Sequence, residues 1–327
     1  MPSIRTEITE IVTGLGMLGY DSLERALVRQ PREISDVPAP TWEAVAAAVD
    51  DPKFRVDAAG AWRNGVVFFE SDEGLRRRPP LSIEWKGGHK APGLETVPVD
   101  LRVDHVFLIS CKYASKILLN ASPSQLFLSE PPSGDWYDEV APDQHQALYE
   151  AARVHSGDGE LPAFVTDLAK HHRSRLRPTL GEWSVECADA YKELSLEVGR
   201  ASALRWREGL SSKRRREAML WRLLRIGPAP YFVLGSAGNK TLRVRVTTPW
   251  DWRRRFEFKD FECWGEDAGQ PRVGWRATVR DHNSAHDKAV EGHVEIRWSH
   301  GRFGQSPEAK VYLDTAHDAV PGYLPLR

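Results

Sequence analysis

Residues 105–113 hold a short continuous apolar run, with Val106, Phe107, Leu108 and Ile109 in succession. A run of this length without polar alternation predicts a strand buried on both faces, the central strand of a sheet covered by helices. Just upstream, Val97, Val99, Leu101 and Val103 alternate with other residues, which predicts a neighbouring strand with one face in the core. Residues 114–120 read as a helix following the central strand. Together these segments require the first part of the chain to close around a sheet.

The flanking sequence is read the same way. Residues 3–30 read as helix, with Ser3 as N-cap and Ile4, Ile8, Ile11, Val12 and Leu15 at helical spacing; Gly14, Gly16 and Gly19 weaken its far end. A second helix is expected over residues 41–49, after a proline-rich connection. Residues 62–70, with Val66, Val67, Phe68 and Phe69, read as a strand, and residues 81–86 as another ending at Gly87-Gly88. Helix, several strands and helix imply an α+β or α/β core within residues 1–130.

Beyond a Pro-, Ser- and Gly-rich loop, residues 143–226 read as mostly helical, with segments over 144–154, 161–176, 184–207 and 212–226. After Gly227-Pro228 the pattern changes to short alternating segments with turn residues between them, which predicts an all-β domain over residues 228–327. The expected fold class is therefore α+β and multidomain, with an N-terminal α/β core, a helical middle and a C-terminal all-β domain. No apolar run approaches membrane-spanning length and no signal-peptide core follows Met1, so no membrane is expected. Cys111, Cys187 and Cys263 lie too far apart for a zinc spacing or a disulfide framework, which points to a reducing cytoplasm.

Chemistry enters around the central strand. Asp100 and Asp104 precede it, and Ser110-Cys111-Lys112 ends it. A carboxylate is a ligand for Mg²⁺, and a lysine can orient an attacking water and offset phosphate charge. Ser110 and Lys112 share a face by the period of two, as do Asp100 and Asp104, while Cys111 faces the core. A competing frame is Glu84-Trp85-Lys86 with Asp72 upstream; its residues are more complete, but Asp72 sits in an exposed turn.

With these residues the chain resembles the PD-(D/E)xK, or restriction-endonuclease-like, nuclease superfamily over about residues 1–130. The resemblance rests on Asp100 or Asp104, then Ser110-Cys111-Lys112, then the helix expected near Ser115. It implies a core of helix, three strands, helix and strand that cleaves DNA or RNA phosphodiesters with Mg²⁺ or Mn²⁺. It implies Asp100 and Asp104 as metal ligands and Lys112 as catalytic lysine, with Ser110 standing where the superfamily has an acid. Some restriction endonucleases carry Ser-x-Lys and take the missing carboxylate from elsewhere; Glu84 on the neighbouring strand or Glu7 on the first helix could supply it here. A role in restriction or phage defence follows from the resemblance alone. The alternative is a non-catalytic nucleic-acid-binding or assembly protein on a decayed nuclease core, for which Ser110 speaks.

Charge supplies the second constellation. The chain totals −1, yet residues 200–259 hold 16 basic against 4 acidic residues, a local +12 that leaves −13 for the remainder. Lys213, Arg214, Arg215 and Arg216 open a helix continued by Arg222, and Arg253, Arg254 and Arg255 form a further cluster; His171, His172, Arg173, Arg175 and Arg177 form a smaller one. Arginine clusters of this kind suit phosphate contacts. A nucleic-acid partner is expected, DNA ahead of RNA, and a homodimer is compatible with the sequence.

Overall fold

A computed structural model describes residues 3–87, 99–113, 117–127, 135–179, 181–237, 240–299 and 301–326. The fold is mixed α/β with two sheets. Its strands are β1 (Ile34–Ser35), β2 (Ile83–Trp85), β3 (Leu101–Val103), β4 (Phe107–Tyr113), β5 (Ile117–Ala121), β6 (Tyr231–Ala237), β7 (Lys240–Val246), β8 (Phe256–Asp267), β9 (Pro271–Asp281), β10 (His286–Arg297), β11 (Glu308–Leu313) and β12 (Tyr323–Pro325). The chain divides into two compact units. The first comprises Met1–Lys116, Leu224–Arg255 and Ala316–Arg327, the second Ile117–Leu223 and Phe256–Thr315.

The first unit holds a seven-stranded mixed sheet in the order β1-β2-β3-β4-β6-β7-β12. Strands β2, β3 and β4 form an antiparallel meander, and β6 joins β4 in parallel after a long crossover. The apolar run does become the central strand: Ile109 is fully buried between β3 and β6. One face of this sheet packs on helices through Ile83, Trp85, Leu101, Val103, Ile109, Cys111, Phe232 and Leu234.

Ser3 caps the first helix, its hydroxyl accepting from the Thr6 N–H at 3.3 Å. The helix does not continue to residue 30. It runs as Ile4–Glu7, a π-turn Ile8–Val12 and Thr13–Gly16, and a separate helix Leu23–Arg29 follows a turn. Gly16 is a contact point rather than a weak spot, since a Cβ there would lie 2.4 Å from the Trp62 carbonyl oxygen. That carbonyl belongs to helix Arg55–Glu70, which replaces the strand expected at residues 62–70. The β-prone residues 66–69 are overridden because Ala58, Ala61, Gly65 and Phe68 form a helical stripe buried against the first helix. The Thr13 hydroxyl ties the pair by donating to the Ala61 carbonyl at 3.2 Å.

The second unit holds a five-stranded antiparallel sheet in the order β5-β11-β10-β9-β8. The helix expected at residues 114–120 is instead β5, paired with β11 through Leu119 opposite Val311; residues 114–116 lie outside the described residues. The helical middle is present as Pro142–Ser156, Lys170–Thr179, Val185–Gly209 and Lys213–Leu224. Helix Val185–Gly209 packs on the sheet, with the Trp206 ring edge-on to Phe261 at 5.8 Å and the Cys263 thiol against the Ala203 carbonyl at 3.5 Å.

Most alternating segments after residue 228 are strands, but they do not make a β domain of their own. β6, β7 and β12 complete the first unit's sheet, and β8 to β11 belong to the second unit. Alternation specifies a half-buried strand, not the strand beside it, so boundaries at residues 130, 143 and 228 follow composition rather than pairing. Among the described residues, no helix is long and apolar enough to cross a membrane.

Candidate active site

The site lies in the first unit, where the start of β3, the end of β4 and the π-turn of the first helix meet. Asp100 stands just before β3. Its backbone N–H donates to the Ile109 carbonyl at 2.9 Å, which registers it against β4. Its carboxylate Oδ2 accepts from the Cys111 N–H at 2.6 Å and from the Ser110 hydroxyl at 3.2 Å. The Ser110 side chain is also a hydrogen-bond partner of the Tyr231 hydroxyl. Asp100 and Ser110 thus meet across the β3–β4 pair.

Lys112 is two residues on, on the same face as Ser110. It sits opposite Gly235 in the parallel pair β4–β6, and the approach is so close that a Cβ at Gly235 would lie 2.2 Å from the Lys112 carbonyl oxygen. Burial pushes the Lys112 ammonium below its ordinary range, the Asp100 charge opposes this, and the Arg225 guanidinium adds to it. Burial also raises the Asp100 carboxyl, against the pull of Lys112 and the hydrogen bonds from Cys111 and Ser110.

The remaining carboxylate is Glu10, one turn beyond Glu7. The π-turn buries all five of its residues, Glu10 included. Its Oε2 accepts from the Trp85 indole N–H at 2.6 Å. Burial first, then the charge of Asp100, pushes the Glu10 carboxyl up to about 8, while Trp85 and Lys112 pull the other way. The charges of Asp100 and Lys112 thus both act on Glu10. Two carboxyls shifted up and a lysine shifted down near one another make this part of the sheet a candidate functional site. Glu7, the carboxylate expected from this helix, has its own carboxyl raised by burial but contributes only weakly to the field at Glu10.

Two other expected ligands lie elsewhere. Asp104 does not share a face with Asp100. It sits in the β3–β4 turn with φ of 49°, and its Oδ1 accepts from the Leu81 and Ser82 N–H groups at 2.7 and 3.0 Å, a structural cap. Glu84 alternates with Trp85, so by register it lies on the Ser110 and Lys112 side of the sheet, opposite the indole that holds Glu10, but its carboxylate is taken up by other partners. Burial would raise its carboxyl, but hydrogen bonds from Arg102 and Lys86 hold it down at about 2. Arg102 donates to Glu84 at 2.6 and 2.9 Å, and His105 lies at 2.7 Å. Glu84 and Lys86 of the competing frame thus neutralise each other, and Asp72 is exposed.

Two buried carboxylates and a hydroxyl are oxygen donors of the kind a hard divalent cation takes. Glu10 and Asp100 would hold it. Three metal-ligating side chains do come together in the second unit, at Asp135, Asp138 and His145. Each of the three also makes contacts within the fold. The His145 Nδ1 meets Asp138 at 2.6 Å, its ring stacks on Phe303 at 5.7 Å, and Asp135 caps a helix by accepting from the Tyr137 N–H at 3.0 Å.

The basic residues divide. In the second unit Arg216 pairs with Asp260 at 2.6 Å and Lys213 with Glu257 at 3.7 Å, Arg215 donates to the Gly209 carbonyl at 3.1 Å, Arg222 to that of Gln125 at 2.8 Å, and Arg214 is exposed. In the first unit Arg253, Arg254 and Arg255 are exposed at the end of helix Pro249–Arg255, where positive charge suits the helix dipole. Arg175 pairs with Asp158 at 2.8 Å and with Glu160.

Comparison of the chain with protein-family models, with curated proteins and with solved structures finds no match.

Proposed function

We propose that the first unit is a metal-dependent nuclease of the PD-(D/E)xK type, with Glu10 and Asp100 as metal ligands and Lys112 as the catalytic lysine. The observation that carries this reading is the contact of the Asp100 carboxylate with Ser110 and the Cys111 N–H, two residues or fewer from Lys112, with Glu10 near enough for the charges of Asp100 and Lys112 to act on it. The order of elements supports it as well: a helix bearing a glutamate, an antiparallel meander β2–β3–β4, and β6 parallel to β4 after a crossover.

A bound Mg²⁺ or Mn²⁺ would supply a Lewis acid for the phosphoryl oxygen and offset the carboxylate charge. The chain's own residues do the rest. Lys112, with its ammonium destabilised by burial, can orient a water for in-line attack and exchange a proton with it. The Ser110 hydroxyl and the Cys111 N–H fix the Asp100 carboxylate in one orientation.

A second reading, a nucleic-acid-binding protein that does not cut, is favoured by one observation: Ser110 supplies a hydroxyl where an acid would complete a third carboxylate. Incubation with supercoiled plasmid and with labelled single-stranded DNA and RNA, with Mg²⁺ or Mn²⁺, separates the two. The nuclease reading expects metal-dependent cutting that Lys112→Ala, Asp100→Asn and Glu10→Gln each abolish and Asp104→Asn retains. Cutting that survives Lys112→Ala sinks it, and binding without cutting by the wild type favours the second reading.

A further inference from the structure

In the second unit, helices Val185–Gly209 and Lys213–Leu224 enclose a cleft of about 560 Å³ lined by Arg205, Gly209, Leu210, Arg215, Ala218, Met219 and Arg222. Arg215, Ala218, Met219 and Arg222 fall at i, i+3, i+4 and i+7, one face of their helix. Lys213 and Arg216, on another face, are matched to Glu257 and Asp260 of β8. The basic run that opens this helix therefore serves two purposes. One side is neutralised within the fold and the other lines an opening.

Among the described residues, no carboxylate lines the cleft. Its three arginines, again among the described residues, keep most of their donors available. Arg215 and Arg222 are each anchored through one N–H to a backbone carbonyl, of Gly209 and Gln125, and Arg205 faces Glu139 at 3.6 Å. A guanidinium carries five N–H groups, so each anchored arginine is aimed yet unsaturated. Arg222 is half-buried, and burial pushes its guanidinium down with no opposing carboxylate. Between the arginines lies an apolar floor, with Leu210 and Met219 buried and Ala218 exposed at the opening.

We propose that this cleft binds single-stranded nucleic acid, seating one nucleotide with its phosphates on Arg205, Arg215 and Arg222 and its sugar and base against Leu210, Met219 and Ala218. The volume falls within the about 300–1,000 Å³ of small-molecule sites, room for one nucleotide but not for a duplex. Planar arginines match phosphate oxygens two at a time, and only an unstacked base can reach an apolar floor. The site stands whether or not the first unit cuts.

The test is equilibrium binding of a fluorescein-labelled oligothymidylate to the full chain by anisotropy, in EDTA so that no cutting intervenes, over a range of salt. Arg215→Gln and Arg222→Gln each weaken binding about tenfold and lower the slope of log K against log salt by about 0.7. Ala218→Trp fills the opening without changing charge and also weakens binding about tenfold, with thermal unfolding unchanged. Arg214→Gln, on the same helix outside the cleft, weakens it less than about twofold. Absence of salt-sensitive binding by the wild type overturns the proposal. Equal losses for Arg214→Gln and Arg215→Gln, or full binding by Ala218→Trp, do so too, because either means that diffuse surface charge holds the strand.

Discussion

Glu10→Gln should stabilise the metal-free protein, and increasingly so as pH rises. Glu10 has its carboxyl pushed from an ordinary 4.5 up to about 8, mainly by burial and then by Asp100. Between those values the folded state holds a proton that the unfolded chain has released. Stability from this group is therefore complete below pH 4.5 and is lost as pH rises through about 8. That interval, at about 1.4 kcal/mol per pH unit, corresponds to about 5 kcal/mol, an upper bound because the buried site can relax. Native domains have only about 5–15 kcal/mol in total, so the effect is large. Glutamine is neutral throughout and its amide oxygen can still accept from the Trp85 indole. Urea unfolding in EDTA at about pH 5 and about pH 9 measures it: the advantage of Glu10→Gln over wild type should grow by about 3–5 kcal/mol across that range. The opposite drift of Lys112, whose depressed ammonium favours the folded state as pH rises, is common to both proteins and largely cancels in the difference. Added Mn²⁺ should then stabilise wild type at alkaline pH and not the variant. An advantage that is the same at both pH values would refute the placement of a buried, mutually repelling carboxylate pair, and with it the metal site.

Gly235→Ala puts a Cβ 2.2 Å from the Lys112 carbonyl oxygen, so β4 must give way; it should cost about 2–3 kcal/mol by urea unfolding and abolish cutting. Glu84→Gln removes the charge that Arg102 and Lys86 hold down at about 2, so its cost should be full above pH 4.5 and vanish as pH falls through about 2, with cutting retained, as thermal melts and a nuclease assay at neutral pH would show.

The first unit is legible where local chemistry and tertiary need agree. The run around Ile109 had to be buried, and Ser110 and Lys112 had to share a face of it by the period of two alone. Asp100 follows from its place before the adjacent strand. Asp104 does not, because the turn that reverses the chain into β4 uses its carboxylate to cap Leu81 and Ser82 and lifts it off the sheet. Residues 66–69 are strand-like in composition and become helix because Gly65 and Ala61 must meet the first helix closely. Residues 117–119 reverse that outcome, since β11, almost two hundred residues away in sequence, offers them a pairing edge. Glu10 was hidden for a related reason. Its helix shows an apolar stripe at Ile8, Ile11, Val12 and Leu15, and an acid beside such a stripe reads as solvent-facing. The π-turn widens the helix there and turns Glu10 inward, and nothing in a 3.6-residue pattern announces it.

This placement gives Ser110 a physical sense. A carboxylate at position 110 would stand about 3 Å from that of Asp100, and two buried carboxylates at that separation cannot both stay charged without a cation. The serine reverses the interaction: it donates to Asp100 instead of repelling it, and its side chain is also hydrogen-bonded with Tyr231. In the proposed site the second acidic ligand is then displaced from the strand to the helix, where the charges of Asp100 and Lys112 act on Glu10, on the Trp85 side of the sheet and away from Glu84. A ligand carried by a helix is only as well placed as the helix itself. The first helix is fixed by a backbone approach at Gly16 that leaves no room for a Cβ, by the Thr13 hydroxyl on Ala61, and by the Trp85 indole on Glu10. Those three contacts do for Glu10 what a β-strand does for an acid at position 110: they hold a charged oxygen in a buried place that it would otherwise leave.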